Sequence, residues 1–151
     1  MGGSGRDSSL IPENERQQVH INIARLLYQY ALNNNILEKS LFDLANQFNK
    51  AIELICSPLE IKQVIEINYL AAKKAFESAA YSSSYNYLSF AKRLLKNEHF
   101  KVNYSVTFET LLLLCKVNCI LNKYDESDEL YSMLLKYKHT SLDHARVLLV
   151  K

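Results

Sequence analysis

The side chains that could carry chemistry are few and dispersed. The four histidines, His20, His99, His139 and His144, are scattered along the chain. Spacing assembles no nucleophile, base and orienting group from them, so no catalytic residue is assigned and a non-enzymatic protein is expected. Cys115 and Cys119 stand four apart on a helical pattern and could face a metal together. No histidine or third cysteine stands at ligand spacing beside them, and small buried thiols in a packed helix account for them better. His139 and His144, with Asp143, would make half a metal site. A solvated turn accounts for them, because the stretch offers no outer partners to orient the rings. Asp125, Glu126, Asp128 and Glu129 share only their charge with a calcium loop: Lys136 stands where the twelfth-position glutamate belongs, and no glycine makes the sharp turn. These carboxylates are expected to complement a helix N-terminus. No metal and no cofactor are expected.

Phosphate-cradling loops are excluded by a count. Glycine does not occur after Gly5, whereas P-loops and dinucleotide fingerprints need it so that backbone can approach the ligand. Tight strand hairpins need it as well, which leaves an all-α chain whose turns are made by Asn, Ser and Asp. The 151 residues are 48% apolar and 23% charged, with a net charge of +2. That is enough for one compact domain and too nearly neutral for a dedicated nucleic-acid binder. No apolar run approaches the length of a membrane span, and no signal-peptide pattern opens the sequence. Three cysteines make no disulfide framework and fit a reducing compartment, so a cytoplasmic location is expected.

About seven helical patterns follow a glycine-rich stretch, residues 1–8, that reads as a flexible leader or expression remnant. The first pattern begins near Pro12 and carries Ile21, Ile23, Ala24, Leu26, Leu27, Tyr30 and Ala31 as one broad apolar face, stopped by Asn33, Asn34 and Asn35. The second runs from Leu37 to Ile55. Ser57, Pro58 and Glu60 then supply a capping box for a third, reaching about Ala79. The others are expected at about Ser83 to Lys96, Tyr104 to Leu121, Asp125 to Tyr137, and Ser141 to Val150. Residues 9–56 are read as an N-terminal helix pair, and residues 57–151 as repeated hairpins with the last one truncated.

The repeat lies between Asn68–Ala91 and Leu111–Leu135. An offset of about 43 residues aligns Tyr81 with Tyr124, Ser84 with Ser127, Leu88 with Tyr131 and Ala91 with Leu134, against the 34 of a standard tetratricopeptide unit. NKYDESDELYSMLLKY resembles the tetratricopeptide turn and second helix, with serine at Ser84 and Ser127 where that pattern prefers alanine. The resemblance implies antiparallel hairpins stacked as a right-handed superhelix, an α-solenoid. In that register Glu66, Tyr69, Lys73 and Phe76, then Glu109, Leu112 and Lys116, face the concave surface, and of these Tyr69, Lys73, Phe76, Glu109, Leu112 and Lys116 are the candidate partner-binding residues. Lys73 and Lys116 occupy equivalent positions and could receive an acidic peptide group, or they could simply be solvated.

A longer resemblance covers nearly all of the sequence beyond the leader, through Leu10-Ile11-Pro12, His20 to Leu27, Asn46 to Ile55 and Ala71 to Tyr87. These stretches are similar to the helical region that follows the ATPase core in large bacterial and fungal signalling proteins. Those are multidomain predicted ATPases of the AAA/STAND type, often fused to serine/threonine kinase, sensor or histidine kinase modules. The resemblance implies a regulatory scaffold that docks a peptide, a protein or another domain of its parent. The alternative is a small-molecule sensor holding a ligand between Phe76, Tyr69 and Leu112.

Overall fold

The computed structural model describes residues 12–96, 99, 103–137 and 141–150. The expected leader, most of the polar connection after Lys96, and His139 lie outside the described residues. The architecture is all-α. In order, the helices are α1 (Glu13–Asn33), α2 (Leu37–Lys50), α3 (Pro58–Glu77), α4 (Tyr81–Leu94), α5 (Tyr104–Ile120), α6 (Tyr124–Tyr137) and α7 (Ser141–Leu148), with a 3₁₀ turn at Ile52–Leu54. No strand occurs among the described residues. No helix among them is long and apolar enough to cross a membrane. The chain divides after Glu60 into two compact units.

Three hairpins, α1–α2, α3–α4 and α5–α6, close in the same way across three-residue links. The middle residue of each link, Asn35, Ala79 and Asn122, has φ of 55°, 60° and 63°. The following amide reaches back five residues: Ile36 N–H to Ala31 O at 2.9 Å, Ala80 N–H to Ala75 O at 2.8 Å and Lys123 N–H to Asn118 O at 2.7 Å. This is the Schellman closure, which satisfies carbonyls that a helix end would otherwise leave open. Asparagine tolerates the left-handed region, because its short polar side chain can bond locally. Alanine at 79 has no such help. The turn chemistry is therefore asparagine twice and alanine once, where Asn, Ser and Asp were expected.

In the first unit, α1 and α2 pack through Ile21, Ala24 and Ala31 on one side and Leu41, Leu44, Ala45 and Phe48 on the other, all at most 2% exposed. Two alanines on α1 let α2 come close, and Phe48 meets Tyr28 edge-on at 6.4 Å. His20 Nδ1 lies 2.8 Å from Gln47 Oε1 and ties the pair together, a packed histidine bonded between helices. Helix α2 stops at Lys50, short of the expected Ile55. Ile52 and Ile55 are still buried, but a 3₁₀ turn carries them inward, and the extended backbone at Ile55 leads toward Pro58, whose predecessor is restricted to such conformations. Glu60 also departs from expectation. Instead of reaching back over the cap, its carboxylate takes two bonds from Arg25, at 2.9 Å and 2.8 Å.

The expected broad face of α1 is split. Ile21, Ala24 and Ala31 are in the core, while Ile23, Leu26 and Tyr30 are 43%, 74% and 59% exposed. One stripe is enough to hold α2, and the other is left over.

In the second unit, the small residue at the centre of each hairpin joins the two helices. Ser84 is fully buried, and its hydroxyl donates to Ala72 O at 2.8 Å. Ser127, 1% exposed, occupies the same place in the next hairpin, 3.4 Å from Cys115 O. It also meets the thiols of Cys115 at 3.3 Å and Cys119 at 3.0 Å. Serine substitutes for alanine here because it is small enough for contact and brings a hydrogen bond besides. Leu88, Ala91, Leu130 and Leu134, each 1% exposed or less, fill the space beneath α4 and α6. Removing a leucine side chain at such a site costs about 2–5 kcal/mol.

Candidate functional site

Within the second unit, α3 and α5 present a cleft of about 340 Å³. Helical spacing puts Tyr69, Lys73 and Phe76 on one stripe of α3, and Glu109, Leu112 and Lys116 on one stripe of α5. Six of the seven residues that the sequence places on the concave face line this single cleft, together with Glu77, Leu113 and Arg146; Glu66 lines a neighbouring cavity instead. Leu112 is 2% exposed and forms its floor. Tyr69 and Phe76 are half-buried walls, and Phe76 is held edge-on against Tyr81 at 5.3 Å. A second cavity of about 440 Å³ adjoins it. It shares Tyr69 and Glu109 and adds Lys62, Glu66 and Tyr104.

The six residues are not equivalent in what they have free to offer. Glu109 is already engaged: Arg146 of α7 donates to both its oxygens, at 2.6 Å and 2.7 Å. That bond to Glu109 holds the Arg146 guanidinium still more firmly protonated than usual. The same α7 is anchored a turn away, where Tyr104 O–H donates to Asp143 at 2.5 Å, and the Arg146 guanidinium lies 5.5 Å from the centre of the Phe108 ring. Burial raises the Tyr69 phenol above its ordinary value, and the Glu109 carboxylate adds to the effect. Tyr69 thus stays a neutral hydroxyl beside the Glu109–Arg146 pair. Lys73 and Lys116 are exposed and make no ion pair among the described residues. They are the cleft's unspent positive charges, and Glu77, also exposed and in no ion pair among the described residues, is its unspent negative one.

Sequence reasoning missed three lining residues, Glu77, Leu113 and Arg146, of which Arg146 is the one supplied by α7. It comes from outside the repeated hairpins, so the repeat register could not assign it. The only signal was a basic residue opposite in charge to Glu109, on a helix whose place was unknown.

Most of the remaining chemistry-bearing groups are held in helix contacts, although the His144 Nδ1 is buried without a hydrogen-bond partner among the described residues. Cys115 is buried against Ser127, and Asp125 and Glu126 lie in the first turn of α6. Glu126 accepts a bond from the Tyr85 hydroxyl at 3.0 Å. Among the described residues no group of three or more His, Cys, Asp or Glu is placed to hold a metal ion. No protein-family model, curated protein or solved structure matches the chain.

Proposed function

We propose that this chain is a non-catalytic docking scaffold whose cleft between α3 and α5 receives an acidic segment of a partner protein or of another domain of its own parent. The observation that carries the reading is the pair of unengaged lysines, Lys73 and Lys116, at equivalent places in two successive hairpins along one cleft. An extended peptide passing over them would offer a carboxylate to each while apolar side chains settle against Phe76 and Leu112. In this reading the hairpins are tetratricopeptide-like units of an α-solenoid, a repeat architecture that uses extended concave surfaces for binding. The parent is a cytoplasmic signalling ATPase or kinase of the AAA/STAND type, and the partner is protein, not nucleic acid or membrane. The same 43-residue relation between Ser84 and Ser127, and between Ala79 and Asn122, supports the repeat.

The test is fluorescence anisotropy with an Asp/Glu-rich peptide library, a matched Lys-rich library serving as control. Binding is expected for the acidic set alone. Changing Lys73 and Lys116 together to alanine should weaken it at least ~10-fold, two charge-assisted contacts being worth that much or more. An unchanged affinity overturns the cleft as the docking site.

A second reading, a small-molecule sensor, is favoured by one observation: Phe76, Tyr69 and Leu112 line a volume of about 340 Å³, within the range of ligand pockets. A thermal-shift screen separates the two, since a specific metabolite raises the melting temperature by mass action.

A further inference from the structure

We infer that the exposed stripe of α1 is a self-association surface that pairs two copies of this chain through antiparallel α1 helices. Val19, Ile23, Leu26 and Tyr30 are 55%, 43%, 74% and 59% exposed. Their spacing of four, three and four residues is that of a coiled-coil seam, and it runs along the side of α1 that α2 leaves bare. Together they present roughly 400 Å² of largely apolar surface per copy, a patch of the size, about 300–600 Å², that on monomeric proteins is often functional. Two such seams with their flanks reach about 1,000 Å², the lower bound of a specific interface.

Three observations favour a second copy as the occupant. First, the stripe complements itself: about a two-fold axis between Ala24 and Arg25, Val19 meets Tyr30, a small residue against a large one, Ile23 meets Leu26, and the interface closes on itself. Second, charge is missing where an interface core excludes it. From Gln17 to Asn35 the only formally charged side chain is Arg25, and Glu60 holds it in a two-pronged pair. Two identical helices therefore meet without like charges opposed. A membrane surface would want a cationic flank, which this helix lacks. Third, the matching positions of α5, at Val106, Thr110, Leu113 and Val117, are all buried or half-buried, and α5 packs against both α4 and α6. In α5, then, the corresponding face is largely covered, with Thr110 and Val117 buried and Val106 and Leu113 half-buried at the edges of the two cavities.

The test is sedimentation equilibrium on the full chain from ~1 to ~200 µM, a span that brackets the affinity of a small interface. A concentration-dependent dimer is expected. Ile23→Glu with Leu26→Glu should raise its dissociation constant roughly 100-fold, with the helical circular dichroism unchanged because both side chains are exposed. In a Cys56→Ser background, Ile23→Cys with Leu26→Cys should give disulfide-linked dimers under mild oxidation, whereas Ile23→Cys alone should not. A monomer across the whole range overturns the inference. So do a mass that climbs past the dimer, as head-to-tail growth would give, a dimer indifferent to the glutamates, and crosslinking through Ile23→Cys alone, the mark of parallel helices.

Discussion

Replacing Ala79 by glycine should stabilise the protein, although glycine ordinarily weakens helical proteins. Ala79 sits at φ 60° in the link between α3 and α4, with its amide bonded to Phe76 O at 2.9 Å and the next amide bonded to Ala75 O at 2.8 Å. Its methyl group is exposed, so deleting it removes no packing. The left-handed conformation costs an L-residue about 1–2 kcal/mol. Glycine escapes that cost but gives up about 0.5–1 kcal/mol through the freedom it adds to the unfolded chain. The net expectation is a gain of about 0.5–1 kcal/mol, or a rise of roughly 1–4 °C in melting temperature. Asn122→Gly is the control: it has the same geometry at φ 63°, but asparagine already tolerates it, so its gain should be a few tenths of a kcal/mol at most. Both are measured by urea and thermal unfolding followed by circular dichroism. If Ala79→Gly is neutral or destabilising, or moves stability no more than Asn122→Gly, then Ala79 does not carry the strain assigned to it.

Three other outcomes follow from the second unit. Asn118 is 1% exposed, and both polar atoms of its side chain lack a partner among the described residues, while the matching position of the preceding hairpin is Ala75. Asn118→Ala should therefore raise unfolding stability by about 1 kcal/mol, the desolvation cost outweighing the small cavity left behind. Burial and the Glu109 carboxylate raise the Tyr69 phenol, so the folded state holds this proton more tightly than the unfolded one. The stability linked to it is whole below about pH 10 and is lost as pH rises through the folded value. An alkaline denaturation series should show wild type losing stability more steeply above that point than Tyr69→Phe. Glu109→Ala releases Arg146 from its two bonds, and hydrogen exchange should then speed up in Ser141–Leu148 while α3 and α4 keep their protection.

The helices were legible because apolar residues at three- and four-residue intervals dominate this chain, and α3, α5, α6 and α7 begin where Pro58, Tyr104, Asp125 and Ser141 suggested, within a residue. The six cleft residues came together because one repeat offset fixes two helix faces at once: once Ser84 matches Ser127, Lys73 must match Lys116. What escaped reading depended on contacts between stretches far apart in sequence. Glu60 satisfied a local capping rule, but Arg25, 35 residues away, competed for its carboxylate with a better geometry. Ala79 carries no turn signal of its own and takes its conformation from the backbone bonds around it. Helix α1 was read as one wide face because periodicity reports apolar positions and not how many of them a single partner helix can cover. The backbone closure that the first hairpin shares with the others, around Asn35, also escaped reading, because it is invisible to side-chain alignment.

The three like closures bear on how this chain reaches its fold. Each joins helices that are adjacent in sequence, so only a short loop must be closed before packing begins, and the entropic barrier to a first hairpin is small. Contacts made mainly between sequence neighbours make for rapid folding. Because each hairpin carries its own closing bonds, any of the three can serve as the starting point. The left-handed residue at each link is part of that closure: until Asn35, Ala79 or Asn122 takes up positive φ, the second helix of its pair cannot turn back.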